Sequence, residues 1–175
     1  MPAPNINDPI EDFTLQNQDG KTVSLSDYKS TPVVLFFYPR ADTPGCTIES
    51  CGFRDAFAKF KKAGITVFGI SRDTVKAQKK FQVKYDLPYD LLADPDMELI
   101  NRYDLVKPKN MYGKLVKGVK RTTYLIAPAD AKGHQRLLHT FEEVKPEGHA
   151  EEVFAYLKKK QIPRKSHFVR LETRK

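Results

Sequence analysis

VVLFFYPRADTPGCTIESC, residues 33–51, decides how this chain folds. Residues 33–38 (VVLFFY) are apolar at every position, and a strand with no polar face has to be covered on both sides, as a central strand is. Pro39 cannot continue a ladder and ends it. After the polar loop 40–42, Thr43 is a favoured N-cap residue and Pro44 suits the first helical position, where its missing N–H costs nothing. Gly45 lets another group approach the backbone. A helix therefore opens here and carries Cys46 in its first turn, with Ile48, Cys51, Phe53, Phe57 and Phe60 at helical spacing as far as Lys62. Buried strand, short loop and capped helix, in that order, read as a unit of a layered α/β sheet.

The pattern continues outward. Residues 65–70 (ITVFGI) repeat the buried-strand signature, 74–85 form an amphipathic helix capped by Asp73 or Thr74, and 89–92 form a short strand. A short helix is expected at 97–103, strands at 121–126 (RTTYLI) and 136–141, and a closing helix at 147–160. Before the central strand, Phe13 and Leu15 alternate with Val23 and Leu25 around Asn17-Gln18-Asp19-Gly20, whose Asp-Gly pair signals a β-hairpin. Ser26 and Asp27 are placed to cap a short helical turn. Strands alternating with helices give an α/β fold with helices on both sheet faces, as one domain over 1–160 followed by a tail, 161–175.

A chain of 175 residues fits a single core, and 40% hydrophobic with 11% aromatic residues can fill one without staples. No apolar run approaches the ~20 residues of a membrane-spanning helix. The first thirteen residues resemble neither a signal peptide nor a transit peptide, so no membrane partner and a cytoplasmic address are expected. The net charge of +8 invites a nucleic-acid reading, but its distribution argues otherwise: residues 158–175 hold eight basic side chains and one acid, leaving 22 basic against 21 acidic groups elsewhere. The body is nearly neutral. The tail reads first as a solvated end, with nucleic-acid contact, or nuclear import in a eukaryotic host, as its other uses.

Cys46 and Cys51 are the only cysteines. In a chain read as intracellular, two thiols five apart point to redox or metal chemistry rather than a structural disulfide. Four-ligand zinc needs two more ligands, and His134, His139, His149 and His167 lie far down the chain without ligand spacing; they read as surface residues, and no metal or cofactor is expected. No G-x-G-x-x-G, Walker, G-x-S-x-G or H-E-x-x-H sequence occurs, which removes nucleotide-cofactor, serine-hydrolase and zinc-protease readings. In the first turn of a helix, Cys46 faces free N–H groups and the positive end of the helix dipole, and both favour thiolate over thiol. The end of a central strand is also where α/β sheets place their sites.

Pro39, Thr43 and Cys46 match Pro-x3-Thr/Ser-x2-Cys, the active-site signature of the peroxiredoxins, and the chain resembles that family. TPGCTIESCGFRD (43–55), with its second Cys five on, resembles the bacterioferritin comigratory protein or Q-type subfamily, as do KNMYGK (109–114) and RTTYLIAP (121–128). The resemblance covers roughly residues 10–160; Tyr124 and Ala127 stand where Phe and Asp are expected, and 161–175 has no counterpart. It implies a thioredoxin-like fold, with a central mixed sheet flanked by helices and an N-terminal β-hairpin. It also implies a thiol peroxidase that reduces hydrogen peroxide and organic hydroperoxides without metal, flavin or haem. By resemblance, Cys46 attacks and becomes a sulfenic acid, Cys51 condenses with it into a disulfide, thioredoxin or a similar dithiol reopens it, and the protein is a monomer. Thr43 is implied to hydrogen-bond thiolate and peroxide, Arg121 to supply a fixed cation, and Pro39 to shape and shield the pocket. Gly45 and Glu49 are secondary candidates, Glu49 either joining the site or serving only the helix dipole. Arg40 reads as solvated, and Phe53 and Tyr112 as packing residues. A thiol-disulfide oxidoreductase is the alternative, against which C-x4-C stands in place of C-x-x-C. A nucleic-acid-associated module acting through the basic tail is another, against which the neutral body counts.

Overall fold

The computed structural model describes residues 3–160; the domain limit at 160 and the basic tail 161–175 expected from the sequence therefore meet the edge of, or lie outside, the described residues. Seven strands form one mixed sheet in the order β2-β1-β5-β4-β3-β8-β9. These are β1 (Thr14–Asn17), β2 (Thr22–Ser24), β3 (Val33–Phe37), β4 (Thr66–Ser71), β5 (Asp90–Ala93), β8 (Thr122–Ile126) and β9 (Leu137–Phe141), while β6 (Val106–Met111) and β7 (Lys114–Val119) form a separate hairpin. β3, β4 and β5 run parallel, and β8 lies antiparallel to β3. The helices are α1 (Pro44–Lys62), α2 (Val75–Lys84), α3 (Glu98–Arg102) and α4 (His149–Lys159).

β3 is central because it has no polar face, and its alternation divides the core into two layers. Val33, Leu35 and Phe37 join Phe68, Ile70, Leu99, Ile100 and Tyr124 on one side. Val34, Phe36 and Tyr38 join Phe53, Ala56 and Phe60 of α1, Phe81 of α2 and Val153 and Leu157 of α4 on the other. Phe36 stacks on Phe53 with centroids 4.5 Å apart and rings tilted by 13°, which fixes α1 to the sheet. Each such fully buried aromatic is worth about 1.5–3 kcal/mol of transfer free energy, so this contact anchors the helix firmly at its middle.

The helices and strands of the seven-stranded sheet fall where the sequence patterns place them, with four local differences. The buried face of α1 is Cys46, Glu49, Ser50, Phe53, Ala56 and Phe60, while Ile48 is exposed. The face is rotated from the apolar spacing because two polar residues, Glu49 and Ser50, occupy buried positions. The short helical turn spans Leu25–Tyr28 with Ser24 rather than Ser26 at its N-cap, the Asp27 carboxylate accepting from the Ser24 N–H at 3.2 Å. Among the histidines, His149 is buried, its Nε2 sharing a 2.7 Å hydrogen bond with Thr123 Oγ1 and its ring meeting Phe53 and Phe141 edge-on. Finally, Tyr112 is not a packing residue among the described residues: it is 99% exposed at the tip of the β6–β7 hairpin.

Candidate active site

The antiparallel register of β3 and β8 pairs Phe37 with Thr122, so the residue before Thr122 emerges beside the residues that follow Phe37. Arg121 is thereby carried to the C-terminal end of β3, where α1 begins, although 75 residues separate it from Cys46. Its guanidinium spans one turn of α1. Nη2 donates to Cys46 Sγ at 3.5 Å and Nη1 to Glu49 Oε1 at 2.7 Å. Cys46 and Glu49 stand three apart and so share a helix face, which lets one planar fork meet both. The Glu49 side chain is 0% exposed and that of Arg121 15%. A charge held in so little water acts at a lower effective dielectric than a surface charge.

Glu49 is therefore not merely a dipole-complementing acid. Its second oxygen, Oε2, is buried with no hydrogen-bond partner among the described residues. Burial pushes its carboxyl from 4.5 up to about 7, with Arg121 opposing the rise by charge and hydrogen bond. Because the folded chain keeps a proton that the unfolded chain releases, the stability this group contributes is complete below about pH 4.5 and is lost as pH rises through about 7. Thermal midpoints measured across that window should fall for the wild type relative to Glu49→Gln, which cannot titrate; parallel curves would remove Glu49 as the titrating group.

Gly45 has a specific spatial reason. A Cβ built there would lie 3.0 Å from Arg121 Nη2 and 3.4 Å from Pro146 Cγ, so the absent side chain is what lets the guanidinium reach the helix start. Thr43 occupies the N-cap position with extended backbone, yet its hydroxyl makes no cap hydrogen bond. It donates instead to the Arg40 carbonyl at 2.8 Å, so the structure does not place it in a bond to the sulfur. Pro39, Thr43, Gly45 and Arg121 line one cleft of about 720 Å³, which residues 116–119 of β7 also line. Arg40, exposed as expected of a solvated side chain, lines it too, as do Arg72 and Asp73. Cys46 is fully buried, and Arg121 connects its sulfur to the cleft wall. Both cysteines are free thiols of α1, and burial pushes the Cys51 thiol up.

The loop before α1 is tied down by residues that sequence reasoning missed. Asp42 sits at φ 59°, a left-handed conformation that Asp tolerates. Its carboxylate accepts from Lys84 Nζ at 2.8 Å and Tyr85 Oη at 2.7 Å. Asp73 accepts from the Ala41 N–H at 2.7 Å and from Ser71 Oγ at 2.6 Å. Tyr38 donates to Gln78 at 2.5 Å, and Gln78 in turn donates to the Leu92 carbonyl, which fixes the end of β3 to α2 and β5. These bonds hold the loop from below while α1 is anchored at Phe53. Among the described residues, no group of three or more His, Cys, Asp and Glu is placed to hold a metal ion.

A buried thiol at a helix N-terminus, touched by a guanidinium at the end of a central strand, is the site of a thiol-based redox enzyme. The model of the AhpC/TSA family matches residues 6–131, and the chain belongs to that family. It is a peroxiredoxin similar to those named Bcp and Q. The Coxiella burnetii bcp chain is 46% identical over 83% of this chain and 93% of its own length. Peroxiredoxin Bcp of Bacillus subtilis is 40% identical over 84% and 90%. The chloroplastic peroxiredoxin Q of Suaeda salsa is 45% identical, this chain spanning 64% of that longer protein. Among solved structures, a cysteine-to-serine variant of Xylella fastidiosa PrxQ superposes with a TM-score of 0.81 at 35% identity over 88% of this chain and 95% of that one. A Xanthomonas campestris bacterioferritin comigratory protein, described for alkyl peroxide reduction activity, gives 0.76 at 36% identity over 83% and 90%. The fold is thus the thioredoxin-like one of these peroxiredoxins.

Proposed function

We propose that this peroxiredoxin reduces hydrogen peroxide and organic hydroperoxides through Cys46, is resolved by Cys51 and is recycled by thioredoxin or a similar dithiol. The observation that carries the reading is the 3.5 Å contact of Arg121 Nη2 with Cys46 Sγ at the start of α1. A fixed cation beside the sulfur favours thiolate and steadies charge on the leaving oxygen. The Cys46 thiolate attacks the terminal peroxide oxygen, the O–O bond breaks, and the other oxygen leaves with a proton as water or alcohol. The Cys51 thiol then attacks the Cys46 sulfenic acid, an S–S bond forms and water leaves. The dithiol reductant supplies two electrons and is itself released as a disulfide. Pro39 and Thr43 shape the cleft beside the sulfur, Gly45 admits Arg121, and Glu49 orients it. Because both cysteines belong to one helix, no second chain is needed to resolve the oxidised sulfur, which supports a monomer. A cytoplasmic location is part of the same reading, alongside plant relatives named chloroplastic. Mass spectrometry of both thiols before and after one equivalent of peroxide tests it: a single intrachain Cys46–Cys51 disulfide is expected, and any other product refutes the cycle.

The cycle requires motion. Residues five apart on an α-helix are separated by ~7.5 Å of rise and ~140° of rotation, which puts their Cα atoms roughly 8–9 Å apart. A disulfide rarely tolerates more than about 7 Å. Since α1 runs unbroken from Pro44 to Lys62, the turns that carry both thiols have to open before the sulfurs meet. Opening should break the 2.6 Å bond from Tyr89 Oη to the Ser50 carbonyl and stop at Phe53, which is locked on Phe36. Oxidised protein is accordingly expected to lose helix signal and amide-exchange protection over residues 43–53 while the rest of α1 keeps it. Equal protection in both redox states, with the disulfide confirmed, would exclude this opening.

A further inference from the structure

The β6–β7 hairpin carries features that packing does not explain. Among the described residues its two strands pair only with each other, apart from the seven-stranded sheet. Tyr112 at its turn is 99% exposed and Leu115 79%. The turn runs through positive φ at Tyr112 (53°) and Gly113 (78°), a geometry that favours Asn, Asp or Gly over an aromatic residue in the first position. The exposed ring thus sits in an unfavourable backbone conformation and gains nothing from the core. Charge is equally one-sided: residues 105–120 contain Lys107, Lys109, Lys114, Lys117 and Lys120 and no acid. At the base of the hairpin, Lys107 pairs with Asp104 at 3.2 Å and Lys120 with Glu142 at 3.5 Å. Toward the turn, Lys114 and Lys117 are exposed and form no ion pair among the described residues. Unneutralised positive charge therefore accompanies the apolar tip, and residues 116–119 of the same hairpin wall the cleft beside Cys46.

We propose that this hairpin docks on an anionic lipid surface, with Tyr112 and Leu115 entering the headgroup boundary, Lys114 and Lys117 meeting lipid phosphates, and the cleft held close to the surface. Apolar and aromatic side chains accompanied by lysines are the composition of an interfacial anchor, and each lysine near an anionic bilayer strengthens binding by roughly fivefold. A protein partner fits less well. Two six-residue strands cover only ~20 Å by ~10 Å, well short of the ~800 Å² per partner of a stable interface. Among the described residues no helix is long and apolar enough to cross a membrane, which concerns spanning and not surface docking. The inference rests on the peroxidase reading only for its consequence, that the hydroperoxides first within reach are those formed in the lipid.

Sedimentation of the full-length reduced protein with vesicles of phosphatidylcholine alone, or mixed with phosphatidylglycerol, at ~0.15 M salt tests this. Binding is expected only to the anionic vesicles. Tyr112→Asn combined with Leu115→Thr should lower the partition coefficient on the order of tenfold, and Lys114→Glu by at least about fivefold. Asn suits the turn and Thr the strand, and none of the three residues lines the cleft, so hydrogen peroxide turnover should be unchanged in both variants. The basic tail is present in every variant; equal binding by wild type and the double variant would assign binding to that tail and overturn the proposal. Failure of the wild type to bind anionic vesicles would overturn it as well. So would normal vesicle binding by a double variant that its dithiol reductant recycles more slowly, since the hairpin would then be a protein contact. Cys46→Ser should still bind vesicles, which separates failure of docking from failure of the peroxidase reading.

Discussion

A Cys46→Ser chain is expected to show no peroxidase turnover, and a Cys51→Ser chain to consume one equivalent of hydroperoxide and stop. The two thiols lie in the same helix but in different environments. Cys46 is fully buried in the first turn, with a guanidinium donor at 3.5 Å. Cys51 is only partly buried, and burial pushes its thiol up, with Arg54 opposing and Asp55 adding to the rise. The first has its sulfur in contact with a fixed guanidinium, whereas burial disfavours the charged form of the second. A serine hydroxyl at position 46 stays protonated near neutral pH even beside Arg121, so the nucleophile is lost rather than weakened. In Cys51→Ser the first step is intact and the product has no partner, so the Cys46 peptide should carry the mass of one added oxygen, or be trapped by a sulfenic-acid reagent. Single-turnover consumption by Cys46→Ser together with none by Cys51→Ser would reverse the two roles.

What the sequence made legible follows from local chemistry. Residues 33–38 declare a covered strand because burial on both faces leaves no polar position. Thr43-Pro44-Gly45 declares a helix start because its residue types suit the N-terminal backbone, and the Asp19-Gly20 pair marked the β1–β2 hairpin. What stayed hidden depends on distant pairing or on surfaces without a periodic signature. The β6–β7 hairpin shows no alternation because much of it faces solvent, and Pro108 among its lysines masks strand propensity. The Glu49–Arg121 pair spans 72 residues, and only the β3–β8 register reveals it. His149 looked like a surface residue because nothing local marks the Thr123 hydroxyl that satisfies it. Thr43 is the instructive case: its residue type and position are those of an N-cap, yet its hydroxyl bonds the Arg40 carbonyl. A motif fixes which side chains gather in a site, while their rotamers follow from the neighbours they meet.

Arg121→Ala is expected to slow the peroxide step by ~10² or more, the scale of losing one preorganised charge stabiliser. The argument needs separating from stability, because Arg121 has two partners. Removing it leaves Glu49 buried with both oxygens unpaired, and a buried polar group left without its partner costs about 1–3 kcal/mol. A slow variant could therefore be a damaged one. Arg121→Ala combined with Glu49→Gln removes the buried ionisable group left without its partner, so unfolding midpoints should recover toward wild type while the peroxide rate stays low. Arg121→Lys tests geometry in the same series: an ammonium is a point charge that cannot reproduce the planar fork reaching Sγ and Oε1 together, so its rate should lie between wild type and Ala. Gly45→Ala probes the approach path, since its Cβ would stand 3.0 Å from Nη2 and push the guanidinium away from the sulfur without changing any charge. Recovery of rate as well as stability in the Ala/Gln double variant would reduce Arg121 to a counter-ion for Glu49, and an undiminished rate in Arg121→Ala would remove it from the chemistry altogether.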